Sequence, residues 1–138
     1  IIGAKADEKI NGMTAAWVAQ VSSKPPMLMV AVGKTHYTRE LIEKSGSFSV
    51  NILASDQYEL VRKCGFTSGR DTDKLAGEEL TYKVTGAPIL PDSAAYLDCK
   101  VVERYEIGDH VVFIGEIMAG GDNLKPAMIY NSGLETSS

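Results

Sequence analysis

The chain has 138 residues, of which 44% are hydrophobic and 23% charged, and its formal net charge at pH 7 is −4. This composition is typical of one globular domain and excludes a disordered, collagenous or disulfide-rich protein. The acidic balance lacks the basic surface that binds a phosphate backbone, so we expect no nucleic-acid partner. No apolar run reaches the ~20 residues of a membrane span. We therefore expect a cytoplasmic protein without a membrane partner, in which residues 1–138 form a single domain that lacks a short upstream segment.

Hydrophobic periodicity predicts short strands in the first quarter of the chain. An apolar fragment runs from Ile1 to Ala4 and is followed by the turn-like segment Asp7-Glu8-Lys9. Asn11-Gly12 is then a strong hairpin-turn signal because both residues tolerate positive φ. Apolar side chains then alternate from Met13 to Val21, which indicates a strand. The run from Met27 to Val32 is apolar on both faces and predicts a central, buried strand.

Two short helices and one helical turn are predicted next. Thr38 can cap a helix over residues 39–44, which Gly46 ends. Ser55 opens a second helix, and Gly65 is its expected end. Residues 73–76 fit a single helical turn.

The remaining strands are predicted at residues 48–53, 80–85, 97–107, 111–117 and 127–130. Two of them form a long hairpin around Gly108-Asp109. Glu103 falls on the apolar face of this hairpin, which predicts either a bulge there or a different strand register. About seven short strands with two or three small helices indicate a mainly β, antiparallel barrel or sandwich and not a doubly wound sheet.

Common catalytic and metal motifs do not occur. The sequence has no GxGxxG, GxxxxGK[ST] or GxSxG pattern, and its two histidines are too few for most histidine-rich metal sites. Cys64 and Cys99 lack CxxC spacing, so we expect two buried free thiols and no metal.

Two segments fit anion binding. Lys34, Thr35 and Thr38 place one cation and two hydroxyls near a predicted helix start. The alternative there is a helix cap beside a solvated lysine. The loop Ser68-Gly69-Arg70 with Lys74 is a second candidate, whose alternative is a surface turn.

Two further features fit ligand binding, one for a flat ligand and one for an anionic ligand. Trp17 follows Thr14, Ala15 and Ala16, whose small size lets a flat ligand approach backbone N–H groups. The alternative is packing of the aromatic ring in the core. His110 lies at the predicted hairpin tip, where it can orient an anionic ligand near pH 7 or serve as a turn residue without a role.

Six segments of the chain occur in an order that resembles one known family. They are residues 11–17 (NGMTAAW), 22–26 (SSKPP), 32–34 (VGK) with Thr38, 48–53 (FSVNIL), the loop from Gly65 to Lys74, and 108–116 (GDHVVFIGE). The chain resembles the flavin reductase-like family of FMN-binding split barrels over nearly its whole length. The likeness is to the branch with flavoredoxins, the flavin domain of high-molecular-weight rubredoxins and ferric reductases.

This resemblance implies a fold, a cofactor and a reaction. It implies a Greek-key split β-barrel that forms a homodimer, with one FMN near the interface in each subunit. The implied enzyme takes hydride from NAD(P)H onto flavin N5 and passes electrons to free flavin, ferric iron, oxygen or a redox protein. A flavoredoxin-type electron carrier with little NAD(P)H activity is the alternative, and a flavin-binding fold without turnover is a third reading.

The resemblance also implies roles for individual residues. Thr14, Ala15, Ala16 and Trp17 would lie along the isoalloxazine, although Ala16 stands where the family often has Ser. Asn51, on the face of its strand away from Phe48, would reach the ring or ribityl chain. The expected phosphate contacts are Lys34 and Thr38, with Ser68, Gly69, Arg70 and Lys74 closing over that end. His110 would lie on the nicotinamide side.

Overall fold

The computed structural model describes residues 1–66, 68–69 and 73–128, with only the backbone of Phe66. These residues form seven strands and two helices. No helix among them is long and apolar enough to cross a membrane. The elements are β1 (Ile2–Ala6), β2 (Lys9–Met13), β3 (Val18–Ser23), β4 (Pro26–Gly33), α1 (Tyr37–Ser45), β5 (Ser47–Ile52), α2 (Tyr58–Phe66), β6 (Ala95–Ile107) and β7 (His110–Asp122).

All the paired strands are antiparallel, and the sheet order is β2-β1-β5-β6-β7-β4-β3. The prediction of a mainly β, antiparallel fold with short helices is therefore confirmed. The predicted strand at 80–85 is wrong, because that segment contributes only a bridge between Thr81 and Ile89. The N–H groups of Val84 and Thr85 donate instead to the buried carboxylate of Asp98, at 2.8 and 3.0 Å.

The first hairpin turns at Asp7-Glu8, within the segment predicted to be turn-like, and not at Asn11-Gly12. Asp7 has φ of 55° and forms the turn with Glu8, whereas Asn11 and Gly12 lie within β2. Asp tolerates the left-handed region as Asn does, so the local signal was present at both places. Gly12 is needed for space instead, since a Cβ there would lie 3.0 Å from Ile1 Cγ2.

The predicted strand over residues 13–21 is interrupted. β2 ends at Met13 and β3 begins at Val18, so residues 14–17 form an irregular connection. The Thr14 hydroxyl holds one end of this connection by donating to the Val61 carbonyl at 2.9 Å. The Trp17 carbonyl holds the other end by accepting from Ala31 N–H at 3.0 Å.

Helix α1 covers the main core. It buries Thr38, Leu41 and Ile42, and it ends at Gly46, which has φ of 72° and donates its N–H to the Ile42 carbonyl. The predicted stop at Gly46 is confirmed, but the helix begins at Tyr37 with His36 as its N-cap and not at Thr38. Thr38 is buried, so its hydroxyl serves the interior of the protein and not the helix end.

Helix α2 covers a second apolar cluster. It runs from Tyr58 to Phe66, so Gly65 lies inside the helix and does not end it. The predicted helical turn at 73–76 is a turn at residues 74–77 that closes with Gly77 in the left-handed region. The buried residues of this cluster are Ile1, Leu53, Leu60, Cys64, Leu75 and Leu90.

The long β6–β7 hairpin matches the prediction closely. It turns at Gly108-Asp109, and Val102 is the extra residue of a bulge between the pairs Val101–Gly115 and Glu103–Ile114. Beyond the bulge the hairpin projects from the core, and Tyr105 and Ile107 are exposed.

Candidate functional site

Three segments meet beside Trp17. The Trp17 ring is 60% exposed and lies 4.5 Å from the His110 ring, measured between centroids, at an angle of 37°. His110 pairs with Gly33 at the end of β4, and the next residue, Lys34, donates its N–H to the Asp109 carbonyl at 3.0 Å. Trp17 is therefore a surface aromatic that contacts the hairpin turn, and the core-packing alternative is excluded.

A carboxylate orients the His110 ring. His110 Nδ1 lies 2.6 Å from Asp109 Oδ1, and this hydrogen bond lowers the pKa of the Asp109 carboxyl. Because an ionised carboxylate only accepts, Nδ1 is the donor of the pair. This tautomer leaves Nε2 for another partner.

The connection before β3 has backbone donors that form no hydrogen bond with the described residues. Its carbonyls at Ala16 and Trp17 accept hydrogen bonds from Val18 and Ala31. Within the described part of the chain, the N–H groups of residues 15–17 have no acceptor. Exposed N–H groups beside a flat aromatic fit the polar edge of a planar ligand.

The start of α1 gathers polar and basic groups. Lys34 is exposed, and its carbonyl accepts from Arg39 Nε at 2.9 Å, which fixes the backbone before the helix. His36 is the N-cap but makes no side-chain capping bond, and its ring packs on Gly33, where a Cβ would lie 2.6 Å from His36 Cδ2. Burial, followed by the charges of Lys74 and His110, lowers the pKa of His36. The helix dipole adds positive potential at this end.

Lys74 is a buried cation and not a surface loop residue. It is 4% exposed, and its Nζ donates to the Cys64 carbonyl of α2 at 2.9 Å. Burial lowers its pKa, and the neighbouring Cys64 opposes that shift. Ser68 is exposed and Gly69 is half-buried nearby in sequence. Arg70, predicted in the same loop, lies outside the described residues.

The sequence prediction missed Asn11. This residue is 2% exposed, and its Nδ2 donates to the Thr38 hydroxyl at 2.8 Å. Its Oδ1 is buried and has no hydrogen-bond partner among the described residues. A Cβ at Gly69 would lie 2.2 Å from that oxygen, so the loop backbone rests directly on the amide. The one available signal was its place at the head of the segment 11–17 that carries the family resemblance.

The structure corrects the prediction for Asn51. Its side chain is 2% exposed, Nδ2 donates to Ser49 Oγ at 3.0 Å and to the Ile1 carbonyl at 3.2 Å, and Oδ1 accepts from Leu90 N–H at 2.9 Å. These bonds use both ends of the amide. Asn51 therefore fastens the segment at Leu90 to the sheet and does not face a ligand.

Comparisons with known proteins identify the family. The family model described as "Flavin reductase like domain" matches residues 1–138. The chain is 36% identical to the high molecular weight rubredoxin of Moorella thermoacetica, over 85% of this chain and 52% of that protein, so it spans about half the length of this relative.

Solved structures show the same fold. The flavoredoxin of Methanosarcina acetivorans is 37% identical with a TM-score of 0.85, over 91% of this chain and 71% of that one. The FMN-binding protein of Thermus thermophilus is 29% identical with a TM-score of 0.83, over 88% of this chain and 67% of that one. These similarities confirm the predicted split-barrel fold.

Proposed function

Because this chain belongs to the flavin reductase-like family, we propose that it binds FMN and acts as an NAD(P)H-dependent flavin oxidoreductase. The observation that carries the proposal is a row of neighbouring residues that strand pairing and one ring contact bring together. It begins at the 15–17 connection and Trp17, passes His110 and Lys34, and reaches the start of α1. The exposed aromatic ring at one end of this row suits the flat isoalloxazine of FMN, and the basic helix start at the other end suits its phosphate.

The residues around the start of α1 fit a phosphate. Lys34 supplies an exposed cation one turn before α1, and His36 leaves the helix start without a side-chain cap. The half-buried Gly69 lies in contact with Asn11, which is bonded to the first turn of α1. Cations and helix N–H groups are the donors that proteins use for phosphate.

The residues at the ring end fit an isoalloxazine and a nicotinamide. FMN, when bound, supplies an acceptor for hydride and releases electrons to a second acceptor. The N–H groups of Ala15 and Ala16 would stabilise negative charge that builds on the pyrimidine edge. Trp17 and the Asp109-oriented His110 would hold the nicotinamide, so the protein contributes position and electrostatics and needs no acid or base.

We also propose that the chain forms a homodimer through the projecting hairpin. Tyr105 and Ile107 are exposed beyond the Val102 bulge, and Ile107 is 59% exposed. Apolar side chains gathered at one end of a hairpin are typical of a protein interface. Light scattering coupled to gel filtration is expected to give twice the chain mass, and Ile107→Lys is expected to give the monomer.

Absorption spectroscopy tests the activity. After addition of FMN and gel filtration, the protein is expected to retain an oxidised flavin absorption band near ~450 nm. Under anaerobic conditions, NADH or NADPH is expected to abolish this band. His110→Ala is expected to keep the band and to raise the KM for the nicotinamide. Retained FMN that neither nucleotide reduces would favour the flavoredoxin-type carrier, to which the 37% identity with a flavoredoxin points. Protein that retains no FMN would refute the proposal.

A further inference from the structure

The amide of Asn11 joins three separate segments next to the start of α1. Asn11 lies in β2, its Nδ2 donates to the buried hydroxyl of Thr38 in the first turn of α1, and its planar group contacts the backbone at Gly69. A Cβ built on Gly69 has Asn11 atoms as its three nearest neighbours, with Oδ1 at 2.2 Å, Cγ at 2.4 Å and Nδ2 at 2.7 Å. The amide therefore occupies the space that a side chain at position 69 would take.

Packing alone does not explain an amide at this place. Oδ1 is buried without a partner among the described residues, and an unpaired buried acceptor lowers the stability of the fold. A leucine, which branches at the same carbon as asparagine, leaves no oxygen unpaired at this place. A polar group retained against its own desolvation cost indicates a role outside core stability.

We propose that Asn11 is a positioning residue for the phosphate end of the flavin, acting through Thr38 and Gly69. This inference rests on the proposed FMN site. The Asn11 amide holds the Gly69 backbone and the first turn of α1 at a fixed separation, and the phosphate lies against both. Asn11 consequently determines how strongly the protein prefers FMN to riboflavin, which has the same ring and ribityl chain but no phosphate.

A double-mutant cycle tests the contact itself. The φ of Gly69 lies outside the left-handed region, so alanine is compatible with the backbone and its methyl group collides only with the amide among its nearest neighbours. Gly69→Ala is expected to weaken FMN binding about tenfold in the native background, and less than about twofold in Asn11→Ala, where the amide is absent. An equal effect of Gly69→Ala in both backgrounds would overturn the inference.

The ligand comparison separates positioning from folding. Asn11→Leu is expected to lower FMN affinity about tenfold and to change riboflavin affinity less than about twofold, measured by flavin fluorescence. The melting temperature of the FMN-free protein is expected to change little, because removal of the unpaired acceptor offsets loss of the hydrogen bond to the Thr38 hydroxyl. Asn123→Ala is the matched control: this amide donates to the Pro91 and Ser93 carbonyls, and its loss is expected to lower stability and leave the FMN-to-riboflavin ratio unchanged.

Each result decides between two claims. If the native protein binds FMN but the Asn11 variants lose FMN and riboflavin affinity equally, or lose neither, the inference is wrong and the proposed function stands. If the native protein binds no FMN, the proposed function is wrong and the inference falls with it. If Asn11→Leu does not fold, the Gly69→Ala measurements still decide the question.

Discussion

Replacing Asn51 with alanine separates a structural amide from a ligand contact. The Asn51 side chain makes three hydrogen bonds in the interior, with Ser49 Oγ, the Ile1 carbonyl and the Leu90 N–H. Alanine removes all three and leaves the Leu90 N–H and the Ile1 carbonyl buried with fewer partners. The loss is expected to appear in the stability of the fold, because no atom of the amide is left to face a flavin.

The magnitude follows from these contacts. Three buried hydrogen bonds at about 1 kcal/mol each give a destabilisation of about 3 kcal/mol, and orphaned backbone groups raise the upper end of the range to about 5 kcal/mol. For a domain of this size, 3 kcal/mol lowers the melting temperature by about 10 °C. That is a large fraction of the stability of an ordinary domain.

Urea denaturation of the FMN-free protein measures the free energy of unfolding, and fluorescence titration with FMN at low temperature measures the FMN dissociation constant. The variant is expected to unfold at lower urea with an unchanged dependence on denaturant, and its FMN dissociation constant is expected to stay within about twofold of the native value. Native stability together with a tenfold loss of FMN affinity would refute the structural role of Asn51 and restore the role predicted from the sequence.

Three further predictions follow from charges and burial. Lys34→Ala is expected to weaken FMN binding by about 1.5–3 kcal/mol, because a charge-assisted bond to the phosphate is lost. The control Lys44→Ala, at an exposed lysine, is expected to have no effect. FMN titration curves that are equal for Lys34→Ala and the native protein would exclude Lys34 from the site. Burial lowers the pKa of His36 below its ordinary value of 6.5, so the unfolded chain binds that proton first and stability falls as the pH drops below about 6.5. His36→Asn is expected to show a shallower loss between about pH 7.5 and 5.5, and parallel curves would contradict this. Burial, and then the charge of Asp98, raises the pKa of the Cys99 thiol to about 12. A thiol reagent at pH 8 is therefore expected to label Cys99 at least about a thousandfold more slowly in the native than in the unfolded protein. Rapid labelling of the native protein at Cys99 would show that the thiol is accessible.

Features that depend on a local period were predictable. The β6–β7 hairpin and its turn follow from alternation around Gly108, and the bulge follows because Glu103 breaks a period of two. The end of α1 follows from Gly46, since a helix commonly stops at a residue in the left-handed region. The predicted free, buried state of Cys64 and Cys99 is also confirmed.

Features that depend on distant contacts were not predictable. The N–H groups of residues 84–85 are taken by Asp98, which lies thirteen or more residues away in the chain, so strand propensity at 80–85 did not decide its structure. Alternation in β5 predicted one polar face, but the segment at Pro88–Leu90 covers Ser49 and Asn51. The alternation of residues 48–53 also predicts that Ile52 lies inward on the same face as Phe48 and Val50, but Ile52 is exposed.

The candidate site was predicted in part. The family resemblance selected the segments around Trp17, Lys34 and His110, and the structure places these three residues next to one another. It did not reveal that Lys74 is buried or that Asn11 supports Gly69, because both facts depend on how α2 and the following loop pack against β2.

Trp17 fluorescence tests the central claim most directly. Trp17 is the single tryptophan of the chain, so its emission reports on one place. If the isoalloxazine of FMN lies along residues 14–17, titration with FMN is expected to quench this emission strongly and to saturate at one FMN per chain. FMN binding that is detected by absorption but leaves the Trp17 emission unchanged would contradict the account, because the flavin would then occupy another part of the protein.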